Sequence, residues 1–214
     1  MHVGAIAAGR RAGGLLDCRA PVPEAIDSDA DARTTWPLQL RAIDESTLAA
    51  FARALGQQLR QRPAVTEAGA ALLLSGPMGA GKTTFTRALS IGLGVTRPDR
   101  VCSPTFNLCR EHDGPLPLVH VDLCRLGELG GDDEGSAAFE ALGLDELFAR
   151  AAAGACVLAI EWAQLLPTPP TGALSLTLAR GVEPHLRTLV AAGIGAWAQP
   201  LVAAWAACTA DPPA

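Results

Sequence analysis

Tyrosine is absent from the 214 residues, and aromatic residues of all kinds make up only 4%. With abundant Ala and Gly, this skew reads as GC-rich coding and carries no functional message. A basic surplus is also missing. The net charge is -5 and the pI about 5.3, and the one adjacent basic pair is Arg10-Arg11. Proteins that grip nucleic acid unaided show a basic total or a basic patch, so any RNA in this protein's work is expected to be held by a partner. No pair of the six cysteines has C-x-x-C spacing. Cys102, Cys109 and His112 fall short of the four ligands a structural zinc site needs, and all six thiols are read as reduced, as in cytosol. No run approaches the ~20 apolar residues that span a bilayer, and the first 16 residues lack the order of a signal peptide. A cytoplasmic location is therefore expected. No N-K-x-D base-reading motif is present, which counts against a GTPase.

What is present suits a folded protein. About half the residues are apolar (49%) and mean hydropathy is +0.23, enough for one domain with a real core. Residues 1–36 mix Gly, Pro and Asp without a period and read as a flexible extension. Residues 37–193 hold the pattern of one domain, and 194–214 read as a C-terminal helix and tail. A short strand is expected over 38–43. Asp44 then reads as the N-cap of a helix with Leu48, Phe51, Ala52 and Leu55 on one face. Buried strands are expected over 71–75, 118–123 and 156–160, and a late strand pair over 174–179 and 186–192. Helices are expected over 83–93, closed by Gly94, and over 136–152, interrupted at Gly143. Strands alternating with helices imply an α/β fold, a small single-domain sheet flanked by helices.

Gly76-Pro77-Met78-Gly79-Ala80-Gly81-Lys82-Thr83 matches G-x-x-x-x-G-K-[ST] in full. The glycines allow backbone N–H groups to turn onto phosphate oxygens, and the following helix presents its positive end to the same anion. Lys82 is a mobile charge for the β and γ phosphates, and the Thr83 hydroxyl is a magnesium ligand. Thr84 completes the binding segment. The buried strand before the loop and the helix after it supply the context that the motif requires. ATP and Mg2+ are the expected cofactors.

Two acids close apolar strands: Asp122 after Leu118-Val119-His120-Val121, and Glu161 after Val157-Leu158-Ala159-Ile160. In an open parallel sheet the carboxyl ends of strands face the ligand crevice, so both are candidates for metal and water, Glu161 first for the metal. Ser103-Pro104-Thr105-Phe106 forms a loop in which Thr105 senses the γ phosphate as switch loops do; a plain loop is an equal reading. His120 reads as a packed, hydrogen-bonded residue, and Arg110 and Arg125 as surface arginines.

Taken together, GPMGAGKTTFTRAL, SPTFNL, HVDLCRL, FEALGLDELF and IEW, in this order over about residues 38 to 190, resemble the bacterial TsaE (YjeE) family. The resemblance implies a small P-loop fold with weak intrinsic ATPase activity. It implies support for threonylcarbamoylation of the adenosine beside the anticodon of tRNA, through ATP hydrolysis acting on a complex of TsaB and TsaD, with the tRNA held by those partners. By position it implies Thr83 and Glu161 as the metal holders, Asp122 as the acid needed for hydrolysis, Thr105 in the switch-like loop and Trp162 beside the nucleotide. The segment around Asp44 to Thr47 aligns with a stretch that approaches the nucleotide. Two departures stand out: Cys124 replaces the family's tyrosine, and Glu183-Pro184 stands where a late Gly-Arg pair is usual, leaving Arg180 or Arg187 to substitute. A small-molecule kinase and a nucleotide-gated binding module are the rival readings. The acidic, arginine-free segment 127–135 counts against a kinase lid.

Overall fold

The computed structural model describes residues 38–61, 69–104, 108–126, 140–166, 168–170, 172–193 and 203–204. Strands β1 (Leu38–Ile43), β2 (Ala70–Ser75), β3 (Cys109–His112), β4 (Leu118–Asp122), β5 (Val157–Glu161), β6 (Leu174–Arg180) and β7 (Arg187–Ala192) form one sheet. Its order is β1-β7-β6-β2-β5-β4-β3. The four middle strands β6, β2, β5 and β4 run parallel, while β7 and β3 are antiparallel to their neighbours. Helices α1 (Glu45–Gln61), α2 (Lys82–Leu93) and α3 (Leu144–Ala152) cover its faces. The described residues thus form a mixed α/β single domain. Among the described residues no helix is long and apolar enough to cross a membrane.

The strand sequences explain their places. AALLLS, LVHVD and VLAIE are near-continuous apolar runs, and β4 and β5 are buried throughout, as strands covered on both faces must be. LSLTLAR alternates, and its leucines alone point inward. One core lies between the sheet and α1 with α2, around Phe51, Phe85 and Leu89, where the rings of Phe51 and Phe85 sit 6.3 Å apart and tilted. The other lies under α3, with Leu147 and Ala151 against Val119, Val121, Leu158 and Ile160.

Backbone contact brings α1 and α2 together. A Cβ built on Gly92 would lie 2.0 Å from the Arg53 carbonyl oxygen, and one on Gly56 2.4 Å from that of Leu89. Only glycines allow this crossing. The helix ends follow local chemistry. The Thr47 amide donates to Asp44 Oδ1 at 2.7 Å, the N-cap bond expected of Asp44. Gly94 closes α2 in the left-handed conformation, φ 80°.

Strand β3 goes beyond what its sequence implies, because CREH has no apolar alternation. It forms as an antiparallel edge on β4, pairing Cys109 with Val121 through His112 with Leu118. The helix expected over 136–152 is described only from residue 140, and α3 begins after a left-handed Gly143 (φ 60°). Of the C-terminal helix expected from residue 194, only residues 203–204 are described, and they are helical. Residues 1–36, Thr105 and the segment 127–135 lie outside the described residues.

Candidate functional site

The loop after β2 is shaped by three glycines with φ of 136° (Gly76), 73° (Gly79) and 106° (Gly81), values that side-chain-bearing residues rarely adopt. At Gly76 there is a second reason: a Cβ would meet the Leu178 carbonyl oxygen at 2.1 Å, so β6 runs directly beside the turn. Arg180, at the end of β6, donates from Nη2 to the Met78 carbonyl at 2.9 Å and braces the outer side of the loop. Ala80 packs inward, fully buried. Helix α2 starts from Gly81 with no side-chain cap and no acidic residue in its first turn. Its opening N–H groups therefore keep their capacity for an anion.

Lys82 is folded back into this loop. Its ammonium donates to the carbonyls of Gly76 (2.8 Å) and Pro77 (3.0 Å) and lies 4.0 Å from the centroid of the Trp162 ring. Burial pushes its pKa below the ordinary lysine value, while the carboxylates of Glu161 and Asp122 oppose that shift. Trp162 stands at φ 59°, left-handed for a bulky residue, a cost accepted where the chain turns from β5 into the site.

Parallel pairing sets the two acids side by side, since Asp122 on β4 is the register partner of Glu161 on β5. Glu161 Oε2 accepts the Thr83 hydroxyl at 2.9 Å, and Oε1 lies 2.8 Å from His120 Nε2 and 3.4 Å from Thr86 Oγ1. Asp122 Oδ1 accepts the Cys124 amide at 2.9 Å, and Oδ2 accepts the Ser103 hydroxyl. The loop carrying Ser103 is tethered to α2, where Arg87 Nε donates to the Val101 carbonyl at 2.8 Å.

These groups open onto a cavity of about 870 Å³. Met78, Gly79, Gly81, Lys82, Thr83 and Thr84 line it from the loop, and Asp122, Glu161 and Trp162 from the strand ends. Glu45 and Leu48 reach it from the start of α1, and Arg125 and Arg187 stand on its wall. Of the two late arginines, Arg180 holds the loop and Arg187 lines the cavity. Arg110 is elsewhere, opposite His120 on β3 beside a smaller cavity. Sequence reasoning misses the bonds of Ser103 and Arg87; their places within the SPTF and GKTTFTR motifs are the only signal. Among the described residues no cluster of three or more His, Cys, Asp or Glu forms a metal cage. A hard ion there fits Thr83, Glu161, water and ligand oxygens, the donor set that magnesium prefers.

A sequence model described as threonylcarbamoyl adenosine biosynthesis protein TsaE matches residues 43–185. The chain belongs to the TsaE family. It is 42% identical over 135 residues to the tRNA threonylcarbamoyladenosine biosynthesis protein TsaE of Bacillus subtilis, covering 63% of this chain and 66% of that one. It is 44% identical over 116 residues to the protein of the same name from Streptomyces coelicolor, covering 52% of this chain and 67% of that one. The chain thus spans about two thirds of these TsaE relatives. The crystal structure of Bacillus subtilis YdiB is similar at a TM-score of 0.58 and 28% identity, over 82% of this chain and 97% of that one. The stretch matched by the TsaE model includes the glycine loop, Ser103, Asp122, Glu161 and Arg180.

Proposed function

We propose that the protein is an ATP hydrolase of the TsaE type, acting on a TsaB–TsaD complex to sustain threonylcarbamoylation of tRNA. The observation that carries this reading is the convergence of Thr83, Asp122 and Glu161 beside an uncapped helix N-terminus and a left-handed glycine loop. A triphosphate matches that arrangement in charge and shape. Lys82 leaves the carbonyls of Gly76 and Pro77 for the β and γ oxygens, exchanging two neutral acceptors for anionic ones. Thr83 and Glu161 hold magnesium, which supplies neutralisation of phosphate charge. Asp122 orients the attacking water; each of its oxygens accepts one bond in the resting site and retains a lone pair. Water oxygen bonds to the γ phosphorus as its bond to the bridging oxygen breaks, giving ADP and phosphate. The acidic balance of the chain, net -5, agrees with tRNA held by the partners.

The test is ATP hydrolysis by the full chain, alone and with TsaB, TsaD and unmodified tRNA. Stimulated hydrolysis and repeated rounds of tRNA modification, both lost in Lys82→Ala, are expected. ATP binding with no stimulation by the partners would discard the tRNA role and leave a nucleotide-binding protein of another kind.

A further inference from the structure

Among the described residues, His120 is the one buried ionisable side chain beside the site that the hydrolytic mechanism leaves without a task. It is 0% exposed, and its Nε2 lies 2.8 Å from Oε1 of Glu161, itself 2% exposed. The contact follows from the sheet. His120 is the register partner of Ala159, and Glu161 is two residues further along the same face of β5. The small Ala159 side chain leaves room for the imidazole to lean along the strand to its diagonal neighbour.

The hydrogen bonds around this carboxylate make His120 its anchor. Thr83 serves the other oxygen, Oε2, at 2.9 Å. Thr86 lies a long 3.4 Å from Oε1, and its single hydroxyl proton is shared with the Lys82 carbonyl at 3.1 Å. That leaves Nε2–H as the well-placed donor to Oε1. Among the described residues, Nδ1 of the ring has no partner. Placing a lone pair rather than a proton on Nε2 would set it against a carboxylate oxygen, so the proton belongs on Nε2.

We infer that His120 is a positioning residue for Glu161: its Nε2–H holds Oε1 so that Oε2 faces Thr83 and a divalent cation. The inference rests on the proposed magnesium role of Glu161. Groups that orient a metal-holding carboxylate from behind usually matter about 10–100-fold in metal affinity.

The experiment is ATP binding to the full chain, first without divalent cation and then over a Mg2+ titration, for wild type, His120→Leu, His120→Gln and His120→Asn. The Gln amide reaches the level of Nε2 and retains an N–H for Oε1, whereas the Asn amide stops short. His120→Leu and His120→Asn are expected to bind metal-free ATP within about twofold of wild type and to need about 10–100-fold more Mg2+, and His120→Gln is expected to recover most of the loss. Should His120→Leu not fold, the Gln and Asn pair decides. A wild-type Mg2+ midpoint in Leu or Asn, or a Gln variant as defective as Asn, overturns the inference and leaves His120 as packing. Wild-type ATP binding that ignores Mg2+ overturns the magnesium reading itself, and the role of His120 with it.

Discussion

Lys82 and Trp162 are stacked, the ammonium 4.0 Å from the ring centroid, and the lysine side chain is only 5% exposed. The loop thus stores its cation inside the protein, between carbonyl oxygens and an aromatic face. Desolvation dominates there, and the pKa of Lys82 is lowered from 10.5.

The sign of the consequence is fixed by linkage. Between the lowered folded pKa and the unfolded 10.5, the unfolded chain binds more protons, so stability rises with pH across that window. Lys82→Met removes this dependence. In the absence of nucleotide, the variant's melting temperature relative to wild type is expected to be highest near neutral pH and to decline towards pH ~10. A gap that is flat with pH would show that Lys82 titrates as an ordinary surface lysine.

Asp122 is expected to matter for turnover more than for binding. Asp122→Asn keeps the size but replaces one of the two accepting carboxylate oxygens with an NH2 donor and removes the charge, and hydrolysis is expected to fall about 100-fold or more, the scale of a lost acid–base or water-orienting group. ATP affinity is expected to change by only a few-fold. Equal losses in kcat and in affinity would make Asp122 a holder of the fold or the metal.

Gly92 tests the architecture behind the site. Its missing Cβ is what lets α1 and α2 approach, since the added atom would lie 2.0 Å from the Arg53 carbonyl oxygen. Gly92→Ala is expected to cost about 1–3 kcal/mol in urea unfolding. Gly143→Ala meets nothing within 4 Å and carries only the strain of φ 60°, about 1–2 kcal/mol. A Gly92→Ala variant as stable as wild type would mean that the helices slide apart freely.

Signals confined to a few neighbouring residues are legible in the amino-acid sequence by itself. The G-x-x-x-x-G-K-T spacing places a glycine turn between a strand and a helix because left-handed φ values and an open helix end are local properties. The Asp44 cap and the Gly94 stop are local in the same sense, and the apolar runs of β2, β4 and β5 announce burial on both faces. Tertiary structure alone decided the rest. CREH became β3 because β4 offered it an edge. Parallel register made Asp122 and Glu161 neighbours across 39 residues of chain, and chose Glu161 as the partner of His120, which the sequence reads as packed and hydrogen-bonded without naming to what. The bonds from Ser103 to Asp122 and from Arg180 to Met78 join residues 19 and 102 positions apart. Local patterns encode backbone conformation and burial. Which distant polar groups meet is set by strand order and register, and these emerge only when the whole sheet assembles.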